Sequence, residues 1–297
     1  MKASGNSTIR TAVVTASYAA DFERCRLLCD SMDMRLKGNW THYILVEAAD
    51  VVRFRGLSGK NRHIIDEREI LPGWLRPFPD PLSLGQRRIW LGPHAVPLRG
   101  WHVQQLRRLG MGRLLSEEAI FSADSDVALL RDFDPIDLWE GDRMRLYRLD
   151  NAMPSDRPEH RRWLERADIL LGDGANAGAP PLHDYINTLI GWRTDTLATL
   201  LDRIETVSGT DWMRAIARSR SISECTFYGR FVDNHLNGAG HLHTDNALCR
   251  VMWVANGRVA QPDLRSFINQ IGPDQIGIGI QSFIGFDPRE IRAIVLP

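Results

Sequence analysis

The stretch Ala119 to Leu130, AIFSADSDVALL, does most to constrain what this chain can fold into. A short apolar run ends in two aspartates one residue apart, Asp124 and Asp126, and a second apolar run follows at once. A run of this kind reads as a strand buried on both faces, as in parallel sheets covered by helices. Carboxylates at the end of such a strand reach the crevice where open α/β sheets bind ligands. Their hard oxygens suit Mg²⁺ or Mn²⁺ held against a diphosphate. Asp and Ser are also ordinary turn residues that simply close a strand, so the surrounding chain has to decide between the two readings.

Upstream, Ile9 to Ser17 is an apolar, β-prone first strand, and Asp21 to Met34 follows as a helix with Phe22, Cys25, Leu28, Cys29 and Met32 at helical spacing. Thr41 to Val46 is a second strand, Asp50 to Phe54 opens a short helix, and Arg62 to Asp66 is a third strand. Strand, helix, strand, helix, strand is the βαβαβ signature of a right-handed nucleotide-binding half. Leu71 to Gly100 carries six prolines, Pro72, Pro77, Pro79, Pro81, Pro93 and Pro97, and reads as a loop-rich crossing or a flexible insert over a site. Trp101 to Gly110 is a helix with Val103, Leu106 and Leu109 on one face. Downstream, helices are expected at Arg161 to Leu171, Thr210 to Arg218, Ser223 to Leu236 and near Pro262 to Gln270, with a strand-turn-helix unit at Asp184 to Glu205. Apolar runs at Arg250 to Ala255, Gln275 to Ile284 and Ile291 to Leu296 close the chain.

With 297 residues the chain suits one large domain, spanning 1–297 and divisible into 9–130 and 131–297. Thirty-seven basic residues balance 37 acidic ones, so no bulk attraction to nucleic acid or to a membrane is expected. Lys2, Lys37 and Lys60 are the only lysines; the remaining cations are arginines, suited to bidentate grip on phosphate or carboxylate. The four cysteines read as reduced packing residues, and Cys25 and Cys29 share a helix face without a second ligand pair for zinc. No segment has the length of a signal peptide core or of a membrane helix. A cytoplasmic protein is expected, with any membrane association peripheral.

The first βα turn, VVTASYAADFERC, has no glycine fingerprint and the chain has no P-loop, which disfavours a dinucleotide site. Thr15, Ser17 and Tyr18 at that strand end are candidates for a base and ribose pocket, or form an ordinary tight turn. His241 and His243 alternate on an extended segment and so point the same way.

Taken in order, VVTASY, GWHVQQLRRL, FSADSDVALLRDFD, DYINTLIGWR and SECTFYGRFV resemble GT-A glycosyltransferases, and more closely a group of uncharacterised bacterial GT-A-like proteins, from Ala12 to Ile291. The resemblance implies a Rossmann-like βαβαβ half, a mixed central sheet and the Asp-x-Asp strand end, with 9–130 as the nucleotide-donor half and 131–297 as the acceptor half. It implies transfer of a sugar from a nucleotide-sugar donor, of the UDP-sugar kind, to a glycan or lipid-linked acceptor. Asp126, with Asp124, would hold Mn²⁺ or Mg²⁺, aided by a late histidine, His241 or His243, or by Asp245. Thr15, Ser17 and Tyr18 would line the nucleoside pocket, Asp50 would accept from the base, and Gln104 or Gln105 would touch donor sugar or phosphate. Asp124 would also touch the ribose. Trp192 and Tyr228 would belong to the acceptor side, and Glu224 would be the general base of an inverting reaction. As the first residue of a helix capped by Ser223, Glu224 equally complements the helix dipole.

Two other enzymes and a binding protein compete. Asp124-Ser125-Asp126-Val127 fits a haloacid-dehalogenase-type phosphatase, but a whole βαβαβ unit precedes it and every lysine lies upstream. A nucleotidyltransferase wants a glycine-rich basic loop after the first strand, which TASYAADFERC lacks. A non-catalytic nucleotide-binding protein would keep the fold and bind without turnover.

Overall fold

The computed structural model describes residues 9–85, 87–153, 157–252 and 263–296. The end of the Arg250 to Ala255 run and the expected helix start at Pro262 lie outside the described residues. The first half runs β1 (Thr11–Ala16), α1 (Phe22–Arg35), β2 (Trp40–Val46), α2 (Val51–Phe54), β3 (Arg62–Asp66), β4 (Arg76–Pro79), β5 (Arg88–Leu91), β6 (Leu98–Arg99), α3 (Gly100–Gly110), β7 (Ala119–Ala123) and β8 (Val127–Leu129). The second half runs β9 (Trp139–Glu140), β10 (Arg143–Tyr147), α4 (Pro158–Leu171), β11 (Leu189–Arg193), α5 (Thr194–Ser208), α6 (Trp212–Ala217) and α7 (Glu224–Leu236). It closes with β12 (His241–Thr244), β13 (Cys249–Met252), α8 (Leu264–Asn269), β14 (Gly277–Ile280) and α9 (Pro288–Val295).

A five-stranded sheet in the order β11-β7-β1-β2-β3 forms the centre, giving a mixed α/β protein. β7, β1, β2 and β3 are parallel, and β11 runs antiparallel on β7. Every residue of β1 is buried, as a run without polar alternation requires of a strand covered on both faces. Its side chains alternate between two cores. Ala12, Val14 and Ala16 pack with Val103, Leu106 and Leu109 of α3 and with residues of α5 and α7. Val13 packs with Leu28 and Met32 of α1, Phe121 of β7 and Leu189 of β11. Each fully buried aliphatic side chain contributes about 1.5–3 kcal/mol.

The proline-rich stretch departs from the loop-rich reading. It holds an antiparallel sheet, β4-β5-β6. Pro77 and Pro79 lie in β4, an edge strand, where a missing N–H removes no interior ladder bond. Trp90 of β5 is fully buried in the main core and anchors the insert. All four cysteines are free and buried. Among the described residues no helix is long and apolar enough to cross a membrane.

Gly229 of α7 lies where an added Cβ would overlap the Tyr185 ring. Gly229→Ala should lower unfolding free energy by about 1–3 kcal/mol, the usual range for overpacking, as read from the denaturant midpoint. An unchanged midpoint would mean that Tyr185 shifts freely.

Candidate active site

The chain enters the sheet at β1, steps outward to β2 and β3, and returns to β7 on the other side of β1. The strand order therefore reverses between β1 and β7, and a ligand crevice is expected beyond their carboxyl ends. The turn after β7 holds Asp124 and Asp126 there. Backbone bonds hold it: Asp124 N–H donates to Thr188 O at 3.2 Å, Val127 N–H to Asp124 O at 3.1 Å, and Ile280 N–H to Asp126 O at 3.1 Å.

Arg108, on the last turns of α3, links this turn to a distant helix. Its guanidinium is buried and donates to Glu224 Oε1 at 2.9 Å and to Asp124 Oδ1. Burial opposes the Arg108 charge, but Asp124 and Glu224 more than offset that and raise its pKa. Glu224 opens α7. Ser223 caps that helix, its Oγ accepting from Thr226 N–H at 3.3 Å, and Glu224 N–H donates to Gln105 Oε1 at 3.0 Å. Burial pushes the Glu224 carboxyl up, with Arg108 opposing. Trp101, Gln105 and Arg108 fall on one face of α3 by their spacing, and Trp101, half exposed, lies at its outer end.

Two further residues from the start of α1 complete the crevice. Asp21 raises the pKa of Asp126, while Arg24 lowers it. Arg24 also donates to Phe286 O at 2.8 Å. Behind Asp126 the wall is Arg24, Leu27, Ala128, Ile278 and Ile280. This apolar backing, then Asp124, then Asp21 push the Asp126 carboxyl up to about 7. Asp21, Asp124, Asp126 and Glu224 thus face two guanidiniums, and the excess of negative charge concentrates at Asp126.

Among the described residues no group of three or more His, Cys, Asp or Glu side chains is gathered to hold a metal ion. Mg²⁺-type sites commonly use one or two carboxylates and leave the other positions to substrate phosphates and water. Asp126, together with Asp124, whose Oδ1 is held by Arg108, fits that mode in donor type.

The expected donor residues divide. Tyr18 is half exposed at the mouth of the crevice, and Asp50 accepts from Ala19 N–H at 2.7 Å, bracing the turn that carries Tyr18. Gln104 is partly exposed on α3, whereas Gln105 is buried and spent on Glu224. Thr15 is buried and bonded to His42 Nε2 at 3.0 Å, so its hydroxyl is spent within the fold, whereas Ser17 is buried with no hydrogen-bond partner for its hydroxyl among the described residues.

The histidines and the acceptor aromatics lie elsewhere than expected. β12 pairs in parallel with β10, in a sheet separate from the five-stranded one that carries the Asp-x-Asp turn. There His241 is paired with the Tyr228 hydroxyl at 2.8 Å and with Ala239 O at 3.0 Å, which occupies both ring nitrogens. His243 pairs with Asp233 at 2.8 Å. Trp192 and Tyr228 are fully buried and stacked at 5.3 Å, so they serve the core and offer no ring face to an acceptor. What sequence reading missed is Arg108, Asp21 and Arg24. Asp21 was legible as an acid in the first βα turn, whereas Arg108 is one of two adjacent arginines on its helix and carried no signal of its own.

A model of DUF6492, a family of unknown function, matches residues 8–271, and the chain belongs to that family. No curated protein matches the sequence. One similar solved structure is an active-site mutant of LgtC, at 14% identity over 95% of this chain and 94% of that one, with a TM-score of 0.43.

The Asp126 shift predicts a pH dependence in metal-free buffer. A carboxyl raised from its ordinary value to about 7 binds a proton more tightly folded than unfolded. Folded stability therefore falls as pH rises from about 4 through about 7. Asp126→Asn, which mimics the protonated form, should melt higher than the unsubstituted protein at pH 8 and equally at pH 4. Equal melting at both would show that Asp126 bears no such burden.

Proposed function

We propose that this member of DUF6492 is a GT-A-type glycosyltransferase. It transfers a sugar from a nucleoside diphosphate donor, of the UDP-sugar kind, to a hydroxyl of a glycan or lipid-linked acceptor. One observation carries this reading: Asp124 and Asp126 lie at the β1/β7 switch point with Glu224 opposite, all three in reach of one or two arginines. Asp126 and Asp124 would hold Mn²⁺ or Mg²⁺, which supplies charge neutralisation for the departing diphosphate.

The protein's own groups have separable tasks. Tyr18, braced through Asp50, walls the nucleoside side. Trp101 and Gln104 wall the outer side, where an exposed indole suits a sugar ring. Arg108 ties the Asp124 and Glu224 carboxyl groups together and holds both in place. Glu224 takes the proton of the acceptor hydroxyl as that oxygen bonds to the anomeric carbon. The bond from that carbon to the diphosphate oxygen breaks on the opposite side, and the nucleoside diphosphate leaves. In-line displacement inverts the anomeric centre.

Release of nucleoside diphosphate from a panel of nucleotide sugars, with Mn²⁺, tests this directly. Glu224→Gln should keep donor binding and lose about 10²- to 10⁴-fold in transfer, the usual contribution of a general base. Unchanged transfer would reduce Glu224 to a helix-start residue. Asp126→Ala should abolish metal-dependent turnover with the fold retained. Tight nucleotide binding without turnover in the unsubstituted protein would favour the binding-protein reading.

A further inference from the structure

We infer that the β4–β5 hairpin is a docking element for an anionic lipid surface. The turn joining these strands carries Leu82 and Leu84, 82% and 91% exposed, the two most exposed large apolar side chains among the described residues. Phe78 and Leu91 are also exposed, and the cross-strand pairs Arg76–Leu91 and Phe78–Ile89, with Ile89–Arg99 beyond, put these side chains on one face. The opposite face carries Trp90 and is spent on the core. The apolar tip and face are thus not surplus core; they point outward from an element that is already anchored.

Backbone geometry supports the same reading. Leu84 ends the short helical turn Pro81–Ser83 in left-handed conformation, at φ 52° and ψ 34°. Glycine or asparagine is at home there and leucine is strained. A strained and fully exposed leucine is the opposite of what stability alone selects.

Charge identifies the occupant. From Pro72 to Arg99 the chain has four arginines, Arg76, Arg87, Arg88 and Arg99, and one acid, Asp80, in a protein whose charges balance over the whole chain. Asp80 is buried, while Arg76, Arg87 and Arg99 are exposed around the apolar residues. Apolar side chains projecting between arginines match the interfacial zone of an anionic bilayer. The hairpin is also fixed beside the crevice: Arg88 pairs with Glu47 at 3.0 Å, and Arg87 acts electrostatically on Tyr18. Docking there would bring the crevice to a membrane surface.

Co-sedimentation of the full chain with vesicles tests this without nucleotide or sugar, so it stands or falls separately from the transferase reading. The protein should bind vesicles of phosphatidylcholine mixed with phosphatidylglycerol, release in high salt, and bind pure phosphatidylcholine weakly. Leu82→Ser with Leu84→Asn should lose at least about tenfold in partitioning while melting no lower than the parent, since asparagine relieves the strain. Arg76→Ser should lose about fivefold on anionic vesicles only. Absence of vesicle binding, or a double variant that binds as the parent does, would overturn the inference. So would a tip whose loss changes only concentration-dependent self-association.

Discussion

A buried guanidinium holds the site together. Arg108 reaches from α3 to the turn after β7, 16 residues on, and to the first residue of α7, 116 residues on. Leaving one partner of a buried pair alone typically costs about 3–5 kcal/mol, because the surviving charge has no water to turn to. Asp124, Glu224 and Arg108 are therefore mutually obligatory, and their union fixes where the helix start and the strand end face each other. Gln105 adds a second tie by accepting from the Glu224 amide.

Asp126 is the counterweight. Arg108 serves Asp124 and Glu224, so Asp126 is left with Asp21 and Asp124 as like-charged neighbours, an apolar wall behind it and Arg24 as partial relief. A fold that only needed to be stable would place a neutral residue there. An excess of negative charge at a topological switch point is what a cation carried by a diphosphate would neutralise, and it links the electrostatics of the site to the proposed chemistry.

Much of the scaffold was legible because it rests on local signals. The β1 run, the α1 periodicity and the 62–66 strand follow from apolar spacing, and all reappear within a few residues. The Asp-x-Asp strand end was legible for the same reason. Long-range pairing was not. Nothing local in HLHT says that β12 lies against β10, so the histidines could not be placed. Trp192 and Tyr228 look like ligand aromatics or core aromatics equally, and their stacking across β11 and α7 decided for the core. Prolines concealed the β4–β6 sheet, because an edge strand tolerates them where a central strand does not. Arg108 was hidden among many arginines; only tertiary structure shows which one is buried between two acids.

The most direct test of the central claim is the melting temperature with a panel of nucleoside diphosphates, each with and without Mn²⁺. A ligand that binds the native state raises it by mass action. The melting temperature should rise with at least one nucleoside diphosphate, and that rise should require the cation and disappear in Asp126→Ala. No rise with any of them, or a rise equal with and without Mn²⁺ and kept in that variant, would contradict the claim.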